Sequence, residues 1–489
     1  MINYEAVIGV EIHVQIKTQR KQFCACPAVV TREISEANKY VCPVCLGHPG
    51  VLPVLNRESV NKVLVLGARL GSQVSRRSIF ARKNYFYPDL PKGYQITQYH
   101  TPLLLNGEVE YFFDGGIRKA DLERAHLEED TAKIFYLDDG VYLDYNRAGI
   151  PLLEIVTAPC FSSSGEVVAF LDELRFILKA LEISDANMEE GNFRCEPNVS
   201  VRPVGAKGLL TKTEIKNLNS FTVLAKALDY EIERQTRVWQ EGGQVEHTTL
   251  RWDEAESKTV PMRVKETQAD YRYFDEPDLP PLVVSEEEIE KAHKFVKSRE
   301  TTVLWRGNKI AFPPGRAKVI GFLVSEVGLS RQDAEVLAGE PYYFRFFMQV
   351  AEVSGDIRES VNWVLQEYRP KALDAQASLS PEQIAEIIRL KKAKVLTTAQ
   401  AREVLAVALK SGKGVGQIVS ELGYGKKLSD EQLEEVCRKV IESNEKVVAD
   451  ILRGKLSALS VLVGGVMRET KGSADPLQVE KQLKRLLNL

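Results

Sequence analysis

Residues 7–16 read VIGVEIHVQI, in which Ile8, Val10, Ile12, Val14 and Ile16 alternate with Glu11, His13 and Gln15. Side chains alternate across a β-strand, so this segment predicts a strand with one apolar face and one face of carboxylate, imidazole and amide groups. Two later segments repeat the arrangement. In RCEPNVSVRP, Arg194, Glu196, Asn198, Ser200 and Arg202 share one face, and Cys195, Val199 and Val201 the other. In TKTEIKN, Lys212, Glu214 and Lys216 alternate with Thr213, Ile215 and Asn217. Three such strands call for a sheet whose apolar face is covered by other elements. The polar face reads as a wet surface, or, if the strands share one sheet, as a floor gathering Glu11, His13, Glu196 and Glu214. Carboxylates crowded in that way repel one another unless protons or a divalent ion offset them. Oxygen ligands combined with substrate phosphates suit Mg²⁺.

Two loops stand beside this pattern. AHLEEDTAK offers Glu128, Glu129 and Asp130 next to His126, and RKNYFYPDLPKGYQITQY offers Arg82, Lys83, Tyr85, Tyr87, Lys92 and Tyr94. Interleaved cations and rings suit nucleotides, whose phosphates meet the charges and whose bases stack. A packed hairpin and a solvated turn are the structural alternatives. The sequence has neither a G-x-x-x-x-G-K-[ST] loop nor a G-x-S-x-G elbow, so an ATP site here is of another kind. Ser162, Ser163 and Ser164 read as a helix start rather than as nucleophiles.

Four of the seven cysteines fall in two pairs, Cys24/Cys26 and Cys42/Cys45. The N-terminal MINYEAVIGVEIHV lacks the basic start and apolar core of a signal peptide, and no apolar run is long enough to span a membrane. A cytoplasmic protein with reduced thiols is the expectation. C-x-C…C-x₂-C, with Pro27, Pro43, Pro49, Gly47 and Gly50 to make the turns, fits a closed, structural four-thiolate zinc site. A redox pair at Cys42–Cys45 and thiols used only for packing are the alternatives. Cys195 and Cys437 lie on apolar faces and read as core residues.

A chain of 489 residues with 44% hydrophobic content predicts two to four folded domains. The expected fold class is α+β: a mixed-sheet body over 1–290, carrying the cysteine insertion near 22–50, then a helical domain over 291–375 and an all-helical tail over 376–489. Helices are expected in SSSGEVVAFLDELRFILKALEIS, capped at Ser164, and in a segment from Asn219 or Ser220 to Gly242. In the tail, Ser380…Gln383, Ser429…Gln432 and Asp475…Gln478 each read as a capping box, with Pro first in the helix in two of them. ALDAQASLSPEQ reads as a linker. Residues 371–489 carry a net charge of +5 and the remainder −8. That asymmetry hints at a polyanionic partner for the tail, and ordinary lysine-rich helix faces would give the same count.

At this length and order, VIGVEIHVQIKT, VCPVCLGHPGVLPVLN, RKNYFYPDLPKGYQITQY, HLEEDTAK, DYNRAGIPLLEIV, MEEGNFRCEPNVSVRP, TKTEIKNLNSF, DYRYFDEPDLPPL and LSVLVGGVMRETKG resemble the B-type subunit of the aspartyl/glutamyl-tRNA amidotransferases. The resemblance covers nearly the whole chain. Asp275 stands where the family commonly has proline, and Glu196 where it often has aspartate. The resemblance implies a cradle-like body, a helical domain and a tail that grips tRNA. It implies two partners, the amidase (A-type) and a small third (C-type) component, with ammonia arriving from glutamine hydrolysis in the amidase. The implied reaction is ATP-dependent phosphorylation of the side-chain carboxylate of misacylated Glu-tRNA(Gln) or Asp-tRNA(Asn), followed by displacement of phosphate by ammonia. On this basis Glu11, His13, Glu128, Glu129 and Glu214 are catalytic or Mg²⁺-binding, with Glu196 a further ligand. Lys83, Tyr85, Arg202, Lys212 and Lys216 are candidates for phosphate or nucleotide contact. A non-catalytic, zinc-clipped tRNA-binding adaptor is the alternative from another class. A stand-alone ligase for a small carboxylic acid is a third reading.

Overall fold

The computed structural model describes residues 2–30, 33–264, 268–372, 374–425, 429–470 and 474–489. Leu373 in the expected linker, and Lys471 and Gly472 in the last quoted stretch, lie outside them. The described residues group into two compact units, one of residues 1–301 with 311–328 and one of residues 302–310 with 329–489. No helix among the described residues is long and apolar enough to cross a membrane.

The first unit is built on a thirteen-stranded mixed sheet. Ten strands form an unbroken path through it: β1 (Tyr4–Gln15), β2 (Ala81–Asn84), β3 (Tyr94–Thr97), β4 (Gly116–Glu129), β5 (Pro151–Thr157), β6 (Phe193–Pro203), β7 (Thr213–Lys216), β8 (Thr248–Asp253), β9 (Lys258–Val264) and β10 (Phe274–Asp275). Their spatial order is β9-β8-β7-β6-β1-β5-β4-β3-β2-β10. The three strands with aligned polar faces, β1, β6 and β7, are neighbours. β1 and β6 pair antiparallel with Glu11 opposite Glu196, and β6 and β7 pair with Asn198 opposite Glu214.

The apolar faces go where alternation sends them. Ile8, Val10, Ile12, Val14 and Ile16 are all buried, in one core with Cys195 and Val199 of β6. Three helices cover that core: α1 (Arg57–Leu70), α2 (Ser164–Ala180) and α3 (Phe221–Gln240). They contribute Val60, Val63, Phe170, Leu174, Leu224 and Leu228. Local chemistry fixes their starts. Ser220 caps α3 by accepting from the Val223 amide, and Gly242 follows its end at φ 78°, a left-handed position that glycine adopts without strain. The cap of α2 is Ser163 rather than Ser164, because its hydroxyl accepts from the Glu166 amide while Ser164 is already helical. A fourth helix, α4 (Glu286–Ser298), opens with a Ser285/Glu288 capping box, and Arg57 of α1 donates to Glu288 through Nε at 2.8 Å. This is the α+β class that the strand patterns predict.

The second unit is mainly helical. Helices Pro381–Lys392 and Asp430–Glu442 begin with the expected boxes at Ser380/Gln383 and Ser429/Gln432. Before Pro476–Leu486 the box does not form. The short Asp475 carboxylate accepts from the Leu477 amide at 2.9 Å, and the Asp475 amide does not donate to the Gln478 side chain. The last four helices close on a core of their own, including Leu433, Cys437, Val440, Leu462, Val466 and Leu483.

Candidate active site

Antiparallel register turns separate segments of the chain into rows across the polar face. One row runs Arg194, His13, Glu154, His126 on β6, β1, β5 and β4, and the next runs Glu196, Glu11, Val156, Arg124. Cross-strand neighbours of this kind sit close enough for direct interaction. His13 Nε2 lies 3.4 Å from Glu154 Oε2, 3.7 Å from Glu128 Oε1 and 3.8 Å from Glu11 Oε1. Ligand atoms of Glu11, His13 and Glu196 lie within 4.8 Å of one another, as do those of His13, Glu128 and Glu154. His13 therefore belongs to two adjoining groups.

Strand β7 adds Glu214, which accepts from Thr249 of β8 at 3.1 Å. It also adds Lys216, whose Nζ is 2.6 Å from Glu196 and 3.7 Å from Glu214. Lys83 arrives from β2. A cleft of about 190 Å³ is lined by Glu11, Glu128, Glu154, Glu214, Lys83 and Lys216, with Tyr99, Tyr271 and Tyr273 at its aromatic side. Tyr99 and Tyr273 stack at 3.9 Å with 4° between their planes, and Lys83 Nζ lies over the Tyr271 ring at 4.9 Å.

The electrostatics follow from packing several acids together. Burial lowers the basicity of His13, but the bond to Glu154 and the charges of Glu154, Glu128 and Glu196 outweigh it and hold the imidazole up at about 9. Burial, then the charge of Glu154, raises Glu128 to about 7 and moves Glu11 in the same direction. Lys83 is half-buried, and although desolvation works against its charge, Glu128, Tyr273 and Glu154 raise its basicity and keep the ammonium protonated. Burial pushes His126 down to about 4, and its Nδ1 has no hydrogen-bond partner. The site is thus a set of carboxylates that retains positive charge on every base it surrounds, apart from His126.

The other expected residues are placed as follows. Tyr85 is half-buried and meets Tyr271 edge-on at 6.1 Å. Alternation along β4 turns Glu129 away from Glu128. Glu129 accepts from Lys92 Nζ and from the Ile96 amide at 3.0 Å, and lines a separate cavity of about 210 Å³ with Cys24, Cys45 and Gly149. Asp130 accepts from Gln15 at 2.7 Å and Arg194 at 3.0 Å, which ties β1 to β6. Arg202 pairs with Glu5 at 2.6 Å, near the far end of β1, and Lys212 is exposed just before β7. The structure does not bring Glu129, Arg202 or Lys212 to the cleft. Glu154 is the functional candidate that the sequence reading passed over. Its signal was a lone carboxylate in the apolar run PLLEIVT, a strand that is otherwise almost wholly buried.

The four paired cysteines converge, with one sulfur from each within 4.8 Å of the others. The Cys42 amide points at Cys45 Sγ at 3.2 Å. The bond to Cys24, the Cys42 amide and the nearby Lys21 ammonium hold the Cys45 thiol down at about 4. No disulfide joins any of them. Four soft donors turned toward one point, one of them favouring the thiolate, fit a tetrahedral zinc ion. The carboxylate oxygens gathered around His13 fit a hard divalent ion such as Mg²⁺.

Residues 6–290 match the family model described as the GatB/GatE catalytic domain, and residues 345–487 match the GatB domain. The chain is 41% identical over 490 residues to the B-type subunit of the aspartyl/glutamyl-tRNA(Asn/Gln) amidotransferase of Caldanaerobacter subterraneus subsp. tengcongensis, covering 99% of both chains. It is 42% identical over 496 residues to the protein of the same name from Moorella thermoacetica, covering 99% of this chain and all of that one. A catalytic-domain match over the cleft-bearing body, together with identity of this order from end to end, means that the chain belongs to the family of B-type subunits of the aspartyl/glutamyl-tRNA(Asn/Gln) amidotransferases.

Proposed function

We propose that this chain is the transferase component of a glutamine-dependent tRNA amidotransferase. It phosphorylates the side-chain carboxylate of Glu or Asp carried by a misacylated tRNA, using ATP, and receives ammonia from an amidase partner. The observation that carries this reading is the carboxylate and imidazole cluster around His13, facing Lys83 across one cleft. A carboxylate is a poor acyl donor because its leaving group would be an oxide; as an acyl phosphate it has a good one. Carboxylate and triphosphate repel, so the site needs cations at fixed positions.

Lys83 and Lys216 supply two of those cations. Glu11, His13, Glu128, Glu154 and Glu196 would hold Mg²⁺, with Glu214 beside them. The charge demand that keeps a proton on His13 is met equally by a divalent ion, whose binding requires the neutral imidazole. When bound there, the metal supplies charge neutralisation for the transferred phosphoryl group. Tyr99, Tyr271 and Tyr273 offer ring faces to a base at the rim. The four cysteines would hold a structural zinc. Residues 376–489, with their basic excess, would grip the tRNA, and a small third component would accompany the amidase.

ADP release tests the proposal. The chain is co-purified with its amidase partner and given labelled ATP and Mg²⁺, with charged or uncharged tRNA. ADP formed only with Glu-tRNA(Gln) or Asp-tRNA(Asn) is the expected result. Tight tRNA binding without ADP would reject the kinase step and leave a zinc-clipped adaptor.

A further inference from the structure

Lys21 is completely buried. Its Nζ donates to Cys45 Sγ at 3.6 Å and to the Tyr145 carbonyl at 3.2 Å. Among the described residues it forms no ion pair with a carboxylate. An ammonium taken out of water without a counter-charge is strongly unfavourable, and lysines are almost never fully buried unless paired. One carbonyl oxygen does not offset a full charge. Among the described residues the other hydrogen-bond partner of the ammonium is the sulfur of Cys45, and only as a thiolate does that sulfur bring negative charge. The carboxylate of Glu129, at the same corner of the fold, is already taken by Lys92 and the Ile96 amide.

The backbone is arranged to hold this contact. The Lys21 amide donates to the Cys26 carbonyl at 2.9 Å, so the stem of Lys21 is fixed to the first cysteine pair. The Gln22 amide donates to the Gly149 carbonyl at 2.7 Å, which pins the same segment to the loop after Tyr145. Gly149 has φ +85°, and a Cβ on it would lie 3.5 Å from both Lys21 Cδ and Cys45 Cβ and 3.9 Å from Glu129 Oε2. The lysine stem, the second cysteine pair and the 145–149 loop therefore close around one point.

We infer that Lys21 is the built-in counter-cation of the four-cysteine centre and sets how tightly that centre holds its metal. A zinc ion bound by four thiolates is formally dianionic. A buried ammonium 3.6 Å from Cys45 Sγ halves that charge. Outer partners of metal ligands typically contribute about 10–100-fold in affinity. This inference rests on the zinc reading above, and the two fail in different ways.

The test uses the full-length chain and its Lys21→Gln and Lys21→Arg variants. Glutamine keeps a donor for the Tyr145 carbonyl and removes the charge; arginine keeps the charge. Zinc content is measured by elemental analysis, and affinity by competition with a chromophoric chelator at fixed neutral pH. Far-UV circular dichroism verifies the fold of each zinc-loaded variant. The expected result is one zinc per wild-type chain, about 10–100-fold weaker retention in Lys21→Gln, and retention close to wild type in Lys21→Arg. Equal retention in wild type and Lys21→Gln overturns the role of Lys21 while leaving the zinc site standing. So does Lys21→Arg binding as weakly as Lys21→Gln, and if the glutamine variant does not fold, weak retention in a folded Lys21→Arg decides in the same direction. A wild-type chain without zinc and with four titratable thiols overturns both.

Discussion

Glu154 is flanked by two histidines, with its Oε2 3.4 Å from His13 Nε2 and 3.6 Å from His126 Nε2. Against the cost of burial, His126 and His13 hold it below the usual carboxylate range. Glu154→Gln keeps the shape and removes the charge that His13 answers. We expect it, like Glu11→Ala and His13→Ala, to lower amide formation on charged tRNA by at least about 100-fold. The melting temperature should stay close to wild type; normal activity in a folded variant would remove that residue from the mechanism. Glu231 acts at one remove. It is fully buried and accepts from Thr213 and Thr259 at 2.9 Å each, from Gln235 at 2.8 Å and from Arg234 at 2.6 Å. Through Thr213 it anchors the four-residue strand that presents Glu214 and Lys216. Glu231→Ala strands several buried donors and should cost about 3 kcal/mol in denaturant unfolding, with Glu231→Gln costing less. The polar faces of β1, β6 and β7 were legible residue by residue because alternation is a local property. Glu154 was not, since what makes it a candidate is its place between two histidines from other strands.

At the scale of elements, caps and ion pairs set where helices start and what they touch. Glu288 both closes the capping box of α4 and pairs with Arg57 of α1. The bond from Arg57, then the Ser285 amide, holds its carboxyl down at about 2, against an ordinary value of 4.5. A depressed carboxylate contributes stability that is present above its unfolded pKa and is lost as pH falls toward its folded one. The contribution of Glu288 is thus complete above about pH 4.5 and fades between there and about pH 2. Glu288→Gln retains the cap but not the pair. The melting-temperature gap between wild type and this variant should narrow on going from pH 6 to pH 3; a gap independent of pH would show that the pair contributes nothing. Similarly, Ser220→Ala removes the cap of α3 and should cost about 1 kcal/mol in the same unfolding measurement. Helix starts were readable to within a residue, as Ser163 in place of Ser164 illustrates. The third serine in a row fits the pattern equally well, and only the direction of its backbone decides which one caps.

For the molecule as a whole, one unit carries the cleft and the cysteine centre, while the last four helices of the other close on their own core. Removing residues 429–489 should leave nucleotide binding and zinc content unchanged and weaken tRNA binding by about ten-fold, with a shallower dependence of affinity on salt. Unchanged tRNA affinity, measured by filter binding across a salt series, would take residues 429–489 out of the interface and leave the basic excess of 376–428 to account for it. AHLEEDTAK and RKNYFYPDLPKGYQITQY, read as loops, in fact put residues 126–129 on β4, Arg82 and Lys83 on β2 and Tyr94 on β3, because pairing in the sheet overrides their loop-like composition. The sequence by itself determined the polar faces of β1, β6 and β7, the helices α2 and α3, and the spacing of four cysteines for one ion. Each of these depends on side chains within a few residues of one another, or on a spacing the chain states directly. Only the tertiary structure decided that Glu129 turns toward Lys92 while its neighbour Glu128 faces His13. Only it decided that Arg202 pairs with Glu5 away from the cleft, and that a lysine among the cysteines is sealed against a sulfur. Those outcomes are set by strand order and register, which bring together residues from 24 to 197 positions apart, and by burial, which gives a charge its partner only once the sheet and its loops have closed.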